Sequence, residues 1–101
     1  MGARKNRLVW SADAEDDLLS IWRYGADEWS PSAADEHLHT IWLVCRRLLE
    51  NPELGRARDE LIRGLRSTLV GPHTVFYRTA MTDVEVVRVL HQREDVETIF
   101  H

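Results

Sequence analysis

The residues best suited to chemistry lie at the end of an apolar run, in the segment VEVVRVLHQRED at positions 84–95. Arg88 interrupts the run, and His91 and Arg93 close it beside two acids. An imidazole exchanges protons near neutral pH, and a guanidinium binds a phosphate or a carboxylate through two parallel hydrogen bonds. The segment is therefore a catalytic strand end, a surface that binds a partner, or simply the place where a strand meets water.

Composition limits what can surround this segment. With 101 residues, of which 44% are hydrophobic and 30% charged, the chain is expected to form one globular domain over residues 1–101. No apolar run is long enough to span a bilayer, and no signal-peptide core follows the basic start, so we expect a cytoplasmic protein with no membrane partner. The single cysteine, Cys45, excludes an internal disulfide and is expected in the core.

The charges are unevenly distributed along the chain. The net charge of −4 argues against general binding to nucleic acid. Residues 12–36 hold eight acids and one base, whereas residues 56–93 hold seven arginines and four acids. We therefore expect an acidic N-terminal half and a basic C-terminal half that suits an acidic partner. The histidines lack metal-ligand spacing, so neither a metal nor a cofactor is predicted.

The first half of the chain predicts one strand and two helices. NRLVWS is typical of a short strand, and Ser11 is a suitable cap for a helix over residues 12–29. A second helix begins at Ser30 and Pro31 in SPSAADE and stops before Pro52 in ENPELG. With almost no linker between them, the two helices must form an antiparallel hairpin.

The second half changes to strand periodicity. Three β-rich runs, at 64–70, 73–80 and 84–91, are separated by the turn signals GPH and MTD, and we expect an antiparallel meander. The preceding PELGRARDELIR is predicted to be a loop with room for one helical turn. The order β-αα-βββ indicates an α+β fold in which the helical hairpin covers one face of an antiparallel sheet.

Strict alternation along the last strand divides its side chains between two faces. One face should carry Val84, Val86, Arg88 and Leu90, and the other Glu85, Val87, Val89 and His91. Both faces are apolar, so we expect a central strand covered on both sides. The hairpin can cover only one side, and a bound partner is a candidate for the other. Trp22, Trp29 and Trp42 lie along the helix stripes and are expected in the core, whereas Trp29 and Tyr24 are the candidates for exposure to a partner.

Three segments, NPELGRARDEL, VFYR and VVRVLHQRED, together with the N-terminal LVWSADAEDDLLSIWRY, resemble the ParE toxins of the ParE/RelE superfamily over Leu8 to Ile99. The resemblance implies the same β-αα-βββ fold. It further implies the toxic half of a bacterial type II toxin–antitoxin module that poisons DNA gyrase and is neutralised by a ParD-like antitoxin. DNA would then be reached only indirectly, through the DNA-binding part of the antitoxin.

The superfamily also contains RelE-like, ribosome-dependent mRNA endonucleases, and this is the alternative function. Such chemistry needs a base, an acid and cations around the phosphate. Where that branch usually carries an arginine, this chain has Thr74, and no tyrosine follows Tyr77. Arg88 and His91 are an odd number of residues apart. We therefore expect no catalytic residues and no enzyme activity. A third possibility is an inert member that only binds an antitoxin and regulates the operon.

Two sets of surface residues are the candidates for binding. For the target they are Arg78, Arg88, His91 and Arg93, and for the antitoxin Tyr24, Trp29, Arg66, Arg78 and Arg88. The competing interpretation is that the arginines pair with Glu85, Glu94 or Asp95 and only orient the strands. His37 and His39 are expected to be solvated, His73 to serve the GPH turn, and His91 to bond to the backbone.

Overall fold

The computed structural model describes residues 4–100 as a five-stranded sheet with a helical hairpin on one face. The strands lie in the order β1-β5-β4-β3-β2. In chain order the elements are β1 (Arg7–Trp10), α1 (Ala12–Glu28), α2 (Pro31–Glu50), β2 (Arg56–Ala57), β3 (Arg66–Val70), β4 (His73–Ala80), β5 (Asp83–His91) and α3 (Val96–Ile99).

The predicted α+β fold and antiparallel meander are confirmed, with two additions to the sheet. Strand β1 pairs with β5 in parallel, from Arg7 opposite Asp83 to Trp10 opposite Val86. The two-residue strand β2 pairs with the start of β3, in a segment that was expected to be a loop. Within the described residues, no helix is long and apolar enough to cross a membrane.

Serine caps fix the start of both long helices. The Ser11 hydroxyl accepts a hydrogen bond from the Ala14 N–H, and the Ser30 hydroxyl accepts one from the Ala33 N–H. Where the helices meet, Gly25 is buried, and a Cβ there would lie 3.3 Å from the Ala34 Cβ. A glycine at this position therefore lets the hairpin pack closely next to its connecting turn.

The core beneath the hairpin combines small and branched side chains from both layers. It contains Ala14, Ile41, Cys45, Val70, Val75, Val86 and Val89. Cys45 is fully buried, and burial raises the pKa of its thiol to about 12. The expected core role of this cysteine is confirmed.

Part of the opposite face of the sheet is covered by the chain itself. Leu65, Phe76 and Leu90 form a second buried cluster under α3, with the Phe100 ring 4.9 Å from that of Phe76. The Asp95 side chain caps α3 by accepting from the Thr98 N–H. At this patch the idea that a bound partner covers the second face is wrong, because the C-terminal turn covers it.

Strand β5 contains a bulge that overturns the predicted alternation. Phe76 lies opposite Arg88 and Tyr77 opposite Val86, so Val87 is an extra residue in β5. Val86 and Val89 therefore both pack under the helices. The expectation that residues 84, 86, 88 and 90 share one face is wrong, because the extra residue shifts every later side chain by one position.

The loop after α2 is held by one buried hydroxyl. Tyr77 donates a hydrogen bond to the Pro52 carbonyl and accepts one from the Gly55 N–H, both at 2.8 Å. A Cβ on Gly55 would lie 2.5 Å from that hydroxyl, so only glycine fits there. The NPELG and VFYR segments are thus parts of one contact.

Candidate functional site

An open cleft of about 740 Å³ lies between the turn end of the hairpin and the β3–β4 turn. We call it the aromatic cleft. Its lining is mainly apolar and comprises Ser20, Ile21, Tyr24, Gly25, Trp29, Ala33, Ala34, His37, Pro72, His73 and His91. The Gln92 N–H donates to the Pro72 carbonyl at 2.9 Å and ties the end of β5 to the β3–β4 turn.

Two exposed aromatic residues form one wall of the aromatic cleft. Tyr24 and Trp29 are 61% and 71% exposed, and their rings meet edge to face with centroids 5.9 Å apart. Trp29 follows the last residue of α1, and its N–H bonds back to the Gly25 carbonyl. Large aromatic side chains exposed beside an apolar cleft are typical of protein-binding surfaces. The geometry therefore brings these two predicted antitoxin-binding residues together.

Three histidines line the inner end of the aromatic cleft. His37 Nε2 lies 2.9 Å from His73 Nδ1, and the His73 ring meets the His91 ring edge to face at 5.5 Å. The short contact needs one ring nitrogen to donate and the other to accept, so at least one ring must be neutral. Burial lowers the pKa of His37, and burial with the nearby His37 and His91 lowers the pKa of His73 to about 4.

This histidine cluster corrects the expectation for His37 and adds a contact to the one for His73. His37 is half-buried against His73 rather than solvated, and His73 contacts α2 in addition to occupying its turn. The sequence carried a signal for His37, since it stands four residues before the buried Ile41 and three after the buried Ala34. Its partner was not visible, because the contact joins residues 36 positions apart.

His91 also has the backbone contact expected of a structural histidine. Its Nδ1 accepts from the Arg93 N–H at 3.1 Å, and its own N–H donates to the Glu94 carboxylate at 3.0 Å. These bonds close the turn that follows β5. The Arg93 side chain is exposed beside this turn. A role for His91 and Arg93 in target binding stays a prediction.

Arg88 makes a two-pronged ion pair with Asp17 of α1. Its Nε and Nη2 donate to the two carboxylate oxygens, each at 2.8 Å, and the Val89 N–H donates to the same carboxylate at 2.9 Å. These bonds raise the pKa of Arg88 above its ordinary value. The competing interpretation named Glu85, Glu94 or Asp95 as partner, which is wrong for Arg88. The ion pair therefore occupies the guanidinium of Arg88, one of the two arginines that both candidate sets include.

The other predicted arginines lie away from the aromatic cleft. Arg78 bonds Glu85 at 2.7 Å, as the orienting interpretation expected, and Arg66 donates to the Gly55 carbonyl at 2.7 Å. Arg78 is five residues from His73 along β4, about 17 Å at the usual rise of a strand. The candidates therefore separate into Tyr24, Trp29, His91 and Arg93 near the cleft, and Arg66 and Arg78 towards the other end.

The arrangement favours binding over metal chemistry. Among residues 4–100, no group of three or more His, Cys, Asp or Glu side chains is placed to hold a metal ion. The site offers a mainly apolar cavity with two exposed aromatic side chains along one wall and a few polar groups at its inner end, which is the usual composition of a binding pocket.

The fold and the cleft thus define a small α+β protein with a candidate binding surface beside its hairpin. Residues 8–96 match the model of the ParE toxin of the type II toxin–antitoxin system, parDE, and the chain belongs to this family. It is 40% identical over 93 residues to "Toxin ParE1" of Mycobacterium tuberculosis, covering 91% of this chain and 95% of that one. It is 33% identical over 87 residues to "Toxin ParE3" of Caulobacter vibrioides, covering 86% and 87%.

Two solved structures share the fold at low sequence identity. A chain from the chromosomal ParDE TA system of P. aeruginosa matches with a TM-score of 0.74 and 20% identity, covering 84% of this chain and 94% of that chain. The YoeB/ParE toxin of Agrobacterium tumefaciens matches with a TM-score of 0.64 and 20% identity, covering 86% and 99%. The predicted family and fold are confirmed, and the protein is a toxin of a type II toxin–antitoxin system.

Proposed function

We propose that this toxin acts in the cytoplasm without catalysis, by binding and inhibiting DNA gyrase. A ParD-like antitoxin neutralises it by filling the aromatic cleft. The placement of the antitoxin is supported by the exposed pair of Tyr24 and Trp29, which lies at the mouth of a mainly apolar cavity. A toxin-antitoxin module needs such a surface, and apolar anchors at its centre would supply most of the binding energy.

The state of the polar groups supports a mechanism without catalysis. A ribonuclease would need a cation beside its acid and base to stabilise charge on the phosphate. Here Arg88 is already bonded to Asp17, and Thr74 lies where the RelE branch is expected to carry an arginine. The histidine cluster could exchange protons, but among residues 4–100 no arginine side chain is hydrogen-bonded to its rings. Inhibition by binding requires only a shaped surface.

The role of the aromatic cleft can be tested with paired variants. Trp29→Ala and Tyr24→Ala should each weaken binding of the cognate antitoxin by about tenfold or more, because they remove exposed aromatic anchors. Met81→Ala is the matched control, since Met81 is 91% exposed in the β4–β5 turn. Calorimetric titration of each variant against the antitoxin gives the affinities. Unchanged affinity for both cleft variants would contradict this placement of the antitoxin.

The target is tested by a pair of activity assays on one preparation of toxin. We expect inhibition of gyrase supercoiling and no cleavage of mRNA on programmed ribosomes. Cleavage of mRNA without inhibition of gyrase would instead identify the RelE-like endonuclease. If neither effect appeared and expression caused no growth arrest, the chain would serve only to bind its antitoxin.

A further inference from the structure

Trp42 lies on a second surface that shares no residue with the aromatic cleft. It was expected in the core with the other tryptophans of the helix stripes, yet it is 40% exposed, and its neighbour Leu43 is 46% exposed. This correction has a local cause. The stripe of α2 is centred on Ile41, Cys45 and Leu48, which places Trp42 at its edge.

The Trp42 ring is held between side chains of the adjacent helical turns. The His39 ring lies nearly parallel to it, with centroids 5.8 Å apart, and the Arg46 guanidinium lies 5.0 Å from its centroid. His39 is one turn before Trp42 and Arg46 one turn after, so the two groups contact the ring from opposite directions along the helix. A base stacking on this ring would compete with these two groups.

A groove of about 540 Å³ beside Trp42 carries a concentration of positive charge. We call it the basic groove. Four cationic side chains and one carboxylate line it, with apolar groups between them: Arg4, Lys5, Asn6, Trp42, Leu43, Arg46, Arg47, Leu49 and Glu50. Glu50 lies 3.6 Å from Arg4, so the single carboxylate is close to one of the cations. This excess of positive charge stands out in a chain whose net charge is −4.

An apolar depression adjoins the basic groove and shares Trp42 as a wall. It has a volume of about 370 Å³ and is lined by Trp10, Glu15, Leu18, Leu38, His39 and Trp42. A partner segment crossing Trp42 would therefore meet an apolar site on one side of the ring and cations on the other. An apolar anchor with charged contacts at the rim is the usual composition of a peptide interface.

We infer that the basic groove receives an acidic segment of the antitoxin, with an apolar side chain of that segment seated in the depression beside Trp42. This inference rests on the proposed neutralisation by an antitoxin and adds a second attachment point to the aromatic cleft. Charge complementarity selects an acidic peptide. Single-stranded nucleic acid is disfavoured because its bases would compete with His39 and Arg46 for contact with the Trp42 ring.

Charge reversal in the full-length toxin tests this inference. The double variant Arg46→Glu with Arg47→Glu should weaken binding of the cognate antitoxin by about tenfold or more and flatten its dependence on salt. The matched control is Arg56→Glu with Arg63→Glu, which changes the net charge equally at two other exposed arginines. Trp42→Phe, checked for unchanged urea denaturation, should also weaken binding. An equal loss of affinity in both charge-reversed variants would overturn the inference.

The outcomes separate this inference from the proposed role of the cleft. If Trp29→Ala weakens binding and reversal at Arg46 and Arg47 does not, the basic groove plays no part and the inference fails alone. If the reversal weakens binding and Trp29→Ala does not, the groove is supported and the cleft is not. Gel retardation of a single-stranded oligonucleotide by the toxin alone, lost on reversal while antitoxin affinity is unchanged, would overturn the inference in favour of nucleic acid.

Discussion

Arg88 of the last strand and Asp17 of the first helix are joined across the molecule by two hydrogen bonds of 2.8 Å, and the Val89 N–H adds a third bond to the same carboxylate. The pair lies just beyond the end of β1, where the Ser11 N–H bonds the Val86 carbonyl and the Ser11 hydroxyl bonds that of Val87. The start of α1 thus takes the place of a strand at the bulged edge of β5.

Removal of the Arg88 side chain should destabilise the fold. Arg88→Ala leaves the Asp17 carboxylate, only 12% exposed, without its cation, and we expect the free energy of unfolding to fall by about 2 kcal/mol. The control is Arg7→Ala, which breaks a pair whose arginine is 72% exposed and should change stability little. Urea denaturation measures both variants. Equal destabilisation by the two substitutions would contradict a structural role specific to Arg88.

The buried hydroxyl of Tyr77 should contribute through the two backbone groups it satisfies. Tyr77→Phe leaves the Gly55 N–H and the Pro52 carbonyl without this partner, which should lower the free energy of unfolding by about 1–3 kcal/mol. Tyr24→Phe removes an exposed hydroxyl and should have almost no effect. Thermal denaturation followed by circular dichroism compares them. A fully stable Tyr77→Phe variant would show that this contact does not hold the loop.

The histidine cluster should make stability depend on pH. The pKa of His73 falls from an ordinary value of 6.5 to about 4 in the folded protein, so the unfolded chain binds more protons between these values. The neutral His73 ring therefore contributes fully to the stability of the fold above the pKa of the unfolded chain, and this contribution is lost as the pH falls towards 4. Urea midpoints at about pH 7.5 and about pH 5 should differ less in His73→Gln than in the wild type.

His39→Gln is the control for this pH dependence, because His39 is exposed and stacks on Trp42 outside the cluster. It should retain the wild-type difference between the two midpoints. A His73→Gln variant with the full wild-type difference would show that other groups cause the loss of stability.

Cys45 should be inert in the folded toxin. With a pKa of about 12, roughly one thiol in ten thousand is ionised at about pH 8. The side chain is also fully buried, so a reagent in solution cannot reach it. Iodoacetamide should therefore label the protein only in concentrated guanidinium chloride. Rapid alkylation of the native protein, followed by mass spectrometry, would contradict the packed core beneath the hairpin.

Local signals in the sequence predicted most of the fold. Ser11, Ser30 and Pro31 mark helix starts through short-range hydrogen bonds and backbone geometry, and the GPH and MTD turns separate the strands of the meander. The predicted end of α1 was one residue too long, since helix ends depend on single hydrogen bonds. The resemblance to ParE toxins added the family, which the comparisons confirm.

The sequence-based predictions were wrong where contacts between distant parts of the chain determine the position of a side chain. The bulge at Val87 could not be predicted from the neighbouring residues, because a valine fits either face of a strand that is covered on both sides. Arg88 and Asp17 are 71 residues apart, and nothing near either residue identifies the other as its partner. The exposure of Trp42 depends on a difference of one position around α2. Charged and aromatic residues on surfaces that combine polar and apolar groups are therefore the least predictable part of the site.

The aromatic cleft is tested most directly by hydroxyl-radical footprinting of the toxin with and without its antitoxin. Free toxin should be oxidised readily at Trp29, which is 71% exposed. We predict that the complex protects Trp29 severalfold, while Met81 in the β4–β5 turn is oxidised at the same rate in both states. Equal oxidation of Trp29 in the free and the bound toxin would contradict the placement of the antitoxin in the aromatic cleft.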